Sequence, residues 1–263
     1  MGDYPEPNGG RAAAVSPPFT SPANSSALEI GREHWARAEK AAEKIICDVH
    51  PTSVSEQRRR DIIDYVQRLI GNSLGVEVIP YGSVPLKTYL PDGDIDLSAF
   101  GRENIEDLKH VVEGEEENRA GTFVVKDVQV INAEVKIVKC IVQNIVVDIS
   151  FNQIGGLSTL CFLEKVDRLI GEDHLFKRSV ILIKAWCFYE SRILGAHHGL
   201  ISTYALETMV LYIFHHFHST LNGPLAVLYK FLDYFSKFDW ENYCISLNGP
   251  VRISSLPAIL KPL

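Results

Sequence analysis

Tyr81-Gly82-Ser83-Val84-Pro85-Leu86-Lys87-Thr88-Tyr89-Leu90-Pro91-Asp92-Gly93-Asp94-Ile95-Asp96-Leu97 is the stretch that decides how this chain is read. A Gly-Ser turn is followed by two carboxylates with one residue between them. Strand alternation puts Asp94 and Asp96 on one face and Ile95 and Leu97 on the other. Two carboxylates that close repel each other unless a cation lies between them. The hard cation that favours carboxylate oxygens together with substrate phosphates is Mg²⁺. With a Gly-Ser backbone nearby to hold a phosphate, the pattern points to metal-assisted phosphoryl transfer.

A third carboxylate lies further along. The run Ile145-Val146-Val147-Asp148-Ile149-Ser150-Phe151 reads as a strand with Ile145, Val147, Ile149 and Phe151 on one face and Val146, Asp148 and Ser150 on the other. A lone carboxylate in so apolar a strand is costly unless a cation balances it. If the two strands are neighbours, Asp94, Asp96 and Asp148 form one cluster able to carry Mg²⁺, with Mn²⁺ as the alternative, and Asp148 is placed to accept a hydroxyl proton. Two rival readings are weaker. A plain surface turn at Asp92-Gly93-Asp94 leaves the Gly-Ser turn and Asp148 unexplained. A calcium loop running from Asp92 to Glu103 lacks glycine at its sixth position, which is Leu97 here.

The 263 residues carry a net charge of -7 with 46% hydrophobic content, which suits a chain that buries a real core and excludes a broadly basic nucleic-acid surface. Cys47, Cys140, Cys161, Cys187 and Cys244 are scattered, with no CxxC pair, and read as mostly buried, reduced thiols of an intracellular protein, cytoplasmic or nuclear. No apolar run reaches spanning length and no secretory signal is visible, so no membrane partner is expected. Residues 1–27 are rich in Pro, Gly, Ser and Ala and read as a disordered tail.

Helical spacing runs from Ile30 to Ile46. A second helix capped at Thr52 or Ser53 is broken by Gly71 and Gly75. Strands are predicted at 76–81, 94–100, 123–131, 135–142 and 145–151. A helix is predicted at 104–112, with a solvated acidic loop at 113–117. From Leu157 onward the pattern is almost entirely helical, in segments at 175–191, 201–217 and 225–235. The fold class is therefore α+β: a mixed five-strand sheet with helices, plus a helical second domain.

Four segments in order, Gly82-Ser83, Asp94-Ile95-Asp96, Val147-Asp148-Ile149-Ser150-Phe151-Asn152 and His198-Gly199-Leu200-Ile201-Ser202-Thr203-Tyr204, with Leu182-Ile183-Lys184-Ala185-Trp186 before the last, resemble the DNA polymerase β-type nucleotidyltransferase superfamily. The closest resemblance is to noncanonical poly(A) polymerases and terminal uridylyltransferases. The stretches Tyr89 to Asp94 and Asp239 to Asn242 resemble a plant branch with a substrate-binding domain like that of poly(A) polymerase and oligoadenylate synthetase. The resemblance implies four parts: a disordered 1–27, a helix at 28–50 packed on the helical domain, a palm-like nucleotidyltransferase domain at 51–156, and a helical substrate-binding domain at 157–263. It also implies metal-binding, catalytic carboxylates at Asp94, Asp96 and Asp148, phosphate contact at Gly82 and Ser83, triphosphate contact at Lys184, phosphate contact at Thr203 and base stacking at Tyr204. The substrates implied are an NTP, UTP or ATP, and an RNA 3′ end.

Three positions depart from the family. A sugar-contacting Asn-Thr pair is matched by Thr159-Leu160. A second lysine is matched by Phe188. Family members continue past the equivalent of Pro250 with a nucleotide-recognition segment, so the resemblance implies a C-terminally truncated, incomplete helical domain. These departures keep open a second reading, a catalytically weak nucleotide-binding or scaffold protein with the same fold. His215, His216 and His218 read as an aromatic-rich helix surface, His197-His198 as a cap on the preceding helix, and Arg58-Arg59-Arg60 as a solvated face.

Overall fold

The computed structural model describes residues 31–102, 104–117, 123–133 and 135–257. The expected tail at 1–27 lies outside them. The described residues fall into two units, Arg32–Lys237 and the segment from Phe238 on.

The first unit opens with α1 (Arg32–Val49) and α2 (Ser53–Leu74). Thr52 caps α2 in a reciprocal box with Ser55, at 3.1 and 3.0 Å. The helix continues through Gly71, against expectation, and stops at Gly75, whose left-handed conformation returns its N–H to the Gly71 carbonyl. β1 (Glu77–Tyr81) leads through α3 (Ser83–Leu86), a single turn, into β2 (Ile95–Phe100). α4 (Ile105–Glu117) takes in the acidic stretch expected to be a loop. Leu108 and Val112 bury the core face of α4, Glu116 is exposed, and Glu115 accepts a 2.6 Å hydrogen bond from the Tyr65 hydroxyl.

β3 (Val125–Ile131), β4 (Ile137–Val142) and β5 (Ile145–Phe151) follow. The sheet order is β1-β2-β5-β4-β3, with β2 and β5 parallel and the other neighbours antiparallel. One face packs Ile95, Leu97, Val147 and Ile149 against Ile62, Val66 and Ile70 of α2 and Leu108 of α4. The other face carries the polar residues of β2 and β5.

α5 (Gly155–Ile170), α6 (Leu175–Ala185), α7 (Thr203–Phe217) and α8 (Pro224–Phe235) complete the unit. α6 runs on into a wider π-helical turn, Trp186–Glu190. The expected helix at 201–217 starts at Thr203, because the Ser202 side chain caps it by accepting from the Ala205 N–H at 3.1 Å, while Ile201 bridges to Leu194. α1 packs through Ala42 and Ile46 onto Ile181, Leu182 and Ala185 of α6, joined by Leu225 and Leu228 of α8.

The segment from Phe238 is not helical as expected. It forms a hairpin of β6 (Tyr243–Ser246) and β7 (Gly249–Arg252), closed by a Ser246 hydroxyl bond to the Gly249 carbonyl at 2.8 Å. The thiols also depart from expectation: Cys140 and Cys187 are buried, but Cys47 and Cys161 are exposed. Among the described residues no helix is long and apolar enough to cross a membrane.

Candidate active site

The parallel pairing of β2 with β5 sets Asp96 directly beside Asp148, and Asp94 enters from the turn before β2. Carboxylate oxygens of the three residues all lie within 4.8 Å of one another, the one such cluster of possible metal ligands among the described residues. Burial, then Asp94, then Asp148 push the Asp96 carboxyl up to about 7, with Lys184 and Lys139 opposing. The donors are all oxygen and the cluster is short of positive charge, a set that fits a hard divalent cation such as Mg²⁺. Asp92, by contrast, accepts a bond from the Tyr189 hydroxyl at 3.3 Å and takes no part in the trio.

Gly82 is fixed in place by this cluster. Its φ of +73° is in the left-handed region, and a Cβ there would sit 2.4 Å from Asp96 Oδ2. Only glycine lets the β1–α3 turn pass so close to the carboxylate. Gly156, at the start of α5, similarly admits the Tyr81 ring, which a Cβ would meet at 2.3 Å. The Tyr81 hydroxyl lies 3.4 Å from Ser150 Oγ, and burial raises its pKa.

A cleft of about 380 Å³ opens beside the trio. Its walls include Gly82, Ser83, Asp94, Asp96, Thr159, Lys184, Thr203 and Tyr204, so of the expected catalytic and nucleotide-contacting residues all but Asp148 line it. Lys184, in the last turn of α6, is only 8% exposed and has no hydrogen bond or ion pair among the described residues. Burial lowers its pKa, against the pull of Glu207, Asp94 and Asp96. Tyr204, in the first turn of α7, is 61% exposed at the cleft wall. Thr159 and Leu160 both line the cleft. Phe188 does not: it lines an adjoining hollow with Asp94, Lys139 and Lys184. The π-helical turn begins between Lys184 and Phe188, which removes the regular four-residue stacking that would align them.

Residues 39–164 match the family profile described as "Poly(A) RNA polymerase, mitochondrial-like, central palm domain". Residues 170–262 match the PAP/OAS1 substrate-binding domain. In order along the chain these are the palm and substrate-binding parts of a poly(A) polymerase-type nucleotidyltransferase. Solved structures share the fold of this nucleotidyltransferase-like chain. A cytoplasmic RNA terminal U-transferase superposes with a TM-score of 0.69 at 16% identity, over 83% of this chain and 78% of that one. The Cid1 poly(U) polymerase gives 0.70 at 15% identity, over 86% and 81%. The polymerase core of TRAMP, an RNA surveillance complex, gives 0.63 at 17% identity, over 80% and 68%. No curated protein matches the chain in sequence.

Three side chains of the nucleotidyltransferase-like site escaped the sequence reading. Lys139 on β4 sits opposite Asp148 on β5 and places its ammonium 2.7 and 2.9 Å from the two carboxylate oxygens. Glu207 lines the cleft, buried near Lys184. Arg59 is buried rather than part of a solvated face. It donates to the Pro91 and Gly93 carbonyls at 3.1 and 2.7 Å and lies 4.2 Å over the Tyr89 ring, so it pins the turn that delivers Asp94. One expectation is corrected as well. The helix before His198 is closed by Ser191, which bonds the Trp186 carbonyl, and His198 instead ends a separate 3-10 turn. His216 stacks on Tyr212 at 4.2 Å, with His215 alongside, on an exposed, aromatic-rich part of α7.

Proposed function

We propose that this protein transfers a nucleoside monophosphate from an NTP to the 3′-hydroxyl of RNA, with Mg²⁺ held by Asp94, Asp96 and Asp148. The observation that carries the reading is a buried Lys184, with no hydrogen bond or ion pair among the described residues, lining one cleft with Asp94 and Asp96 of the carboxylate trio. A buried ammonium without a partner is costly, and a triphosphate at that position satisfies it. When bound, the divalent ion makes the acceptor hydroxyl more acidic and neutralises the leaving pyrophosphate.

The chain's own residues divide the remaining work. Gly82 and Ser83 offer backbone N–H groups to phosphate oxygens. Lys184 balances triphosphate charge, and Thr203 donates its hydroxyl to a phosphate. Tyr204 stacks on the base, a contact that tolerates any base and so fits UTP or ATP. Lys139 ion-pairs with Asp148, and Asp148 accepts the proton of the attacking hydroxyl. We assign residues 51–156 to the palm, 157–263 to the helical substrate-binding part and 28–50 to a helix docked on the latter.

The test is extension of a labelled RNA primer by the purified protein with NTPs and Mg²⁺ or Mn²⁺. Asp94→Ala should abolish extension while circular dichroism and melting behaviour stay native, because it removes a repelling charge. Asp148→Ala should abolish extension with a native circular dichroism spectrum but a lower melting temperature, because it also strands Lys139. An active Asp94/Asp96 double variant sinks the mechanism. A second reading, nucleotide binding without transfer, is favoured by the single lysine lining the cleft, which faces Glu207. Calorimetric NTP binding without primer extension would select it.

A further inference from the structure

Glu207 is the one acidic side chain lining the cleft outside the metal-binding trio, and nothing in the proposed chemistry uses it. It is only 6% exposed and makes no hydrogen bond or ion pair among the described residues. Three residues after Tyr204 and four after Thr203, it shares their face of α7. One turn, a rise of about 4.5 Å over three residues, separates it from Tyr204 along the helix. It therefore lies one turn from the exposed ring at the base-stacking end and within electrostatic reach of Lys184, the triphosphate end, and Thr159 lines the same cleft.

We propose that Glu207 recognises the sugar of the bound nucleotide, its two carboxylate oxygens accepting from the vicinal 2′- and 3′-hydroxyls. This rests on the nucleotide-binding reading of the cleft. A buried carboxylate is an acceptor with no donor of its own, so its partner in the cleft must bring donors. Phosphates bring none and repel it. The base is held one turn away at Tyr204. The ribose diol brings two adjacent donors, and acidic side chains take that role toward ribose in dinucleotide sites. Thr159 supplies one further hydroxyl to the cleft. Burial raises the Glu207 carboxyl to about 7, with Lys184 opposing, so near neutral pH the group still has an ionised fraction to accept both bonds.

Calorimetric titration decides it, with UTP, ATP and their 2′-deoxy and 2′,3′-dideoxy analogues in Mg²⁺, on the wild type, Glu207→Gln and Glu207→Leu. Removing hydrogen-bond donors opposite a charged acceptor should cost the wild type about tenfold in affinity for the dideoxy analogue. In Glu207→Leu that ratio should fall to about twofold or less, chiefly because the analogue binds better, and Glu207→Gln should fall between them. The Leu variant replaces a buried unpaired carboxyl with an apolar side chain and should melt no lower than the wild type, which separates sugar recognition from a structural role. A ribose-to-dideoxy ratio unchanged in Glu207→Leu, or no preference in the wild type, overturns the assignment and leaves the transferase reading standing. Absence of any NTP binding to the wild type overturns both.

Discussion

At the scale of single residues, Asp94, Asp96 and Asp148 balance their charge against Lys184 and Lys139, and of the two lysines Lys139 ion-pairs directly with Asp148. Asp94 and Asp96 reveal themselves because strand alternation puts them on one face, and Asp148 because it interrupts an apolar strand. Lys139 has no such local signal. Its partner depends on register, which the two-residue turn Gln143-Asn144 fixes: Val142 pairs with Ile145, and three steps out Lys139 meets Asp148. The signal for Glu207 is a charge beside Leu206 in an apolar helix, easily taken for an outer face. Asp96 yields a pH prediction. Its folded value of about 7 exceeds the ordinary carboxylate value near 4, so between these the folded protein holds a proton that the unfolded chain has released. Without metal, stability is fully present below that window and falls as pH rises through it. Melting temperature in EDTA should drop from pH 4.5 toward 7.5, Mg²⁺ should flatten the fall, and Asp96→Asn should remove it. Gly82→Ala forces a Cβ into the Asp96 carboxylate and strains a left-handed backbone, at about 1–2 kcal/mol for the backbone alone. A lower melting temperature and weaker Mn²⁺ binding by calorimetry are the expected readouts.

At the scale of elements, what the sequence reveals depends on length and periodicity. The long amphipathic α2 and the alternating β5 have clear patterns. α3 is a single turn, too short for any period, and it shows only because Gly82 and Lys87 bracket it with left-handed conformations. The β6–β7 hairpin was missed even though Asn248-Gly249 carries the dipeptide typical of tight hairpins, because the apolar residues around it also fit a helix. Arg59 is the element-scale lesson: a basic triplet reads as solvated until the turn it anchors is seen. Arg59→Met strips the Pro91 and Gly93 carbonyls of their donor and should destabilise the protein by about 2–3 kcal/mol in urea unfolding. NTP-independent Mn²⁺ binding should weaken in the same variant, because the turn that aims Asp94 is released. Arg60→Met, which loses only an exposed 4.0 Å pair with Glu56, should change neither.

At the scale of the whole molecule, the α+β class was readable from the switch of period two to period 3.6 near Leu157, whereas the strand order was not, because no local pattern says that β2 pairs with β5. The packing of α1 gives a test that spares the site. Ile46 is buried against α6, and Ile46→Ala should cost about 2–4 kcal/mol of stability in urea while NTP affinity stays that of the wild type. The crossing from β2 to β5 also fixes a sequence of events in time. β3, β4 and β5 join neighbours through short connections and can close as they are synthesised, while β1 and β2 form their own pair. The parallel seam between β2 and β5 closes only across an intervening helix and two strands, the kind of distant contact that makes folding slow. Asp96 and Asp148 face each other across that seam. A nascent chain that has not yet exposed Phe151 from the ribosome therefore has no three-carboxylate cluster at all. The candidate site is completed late, in the same step that seals the sheet.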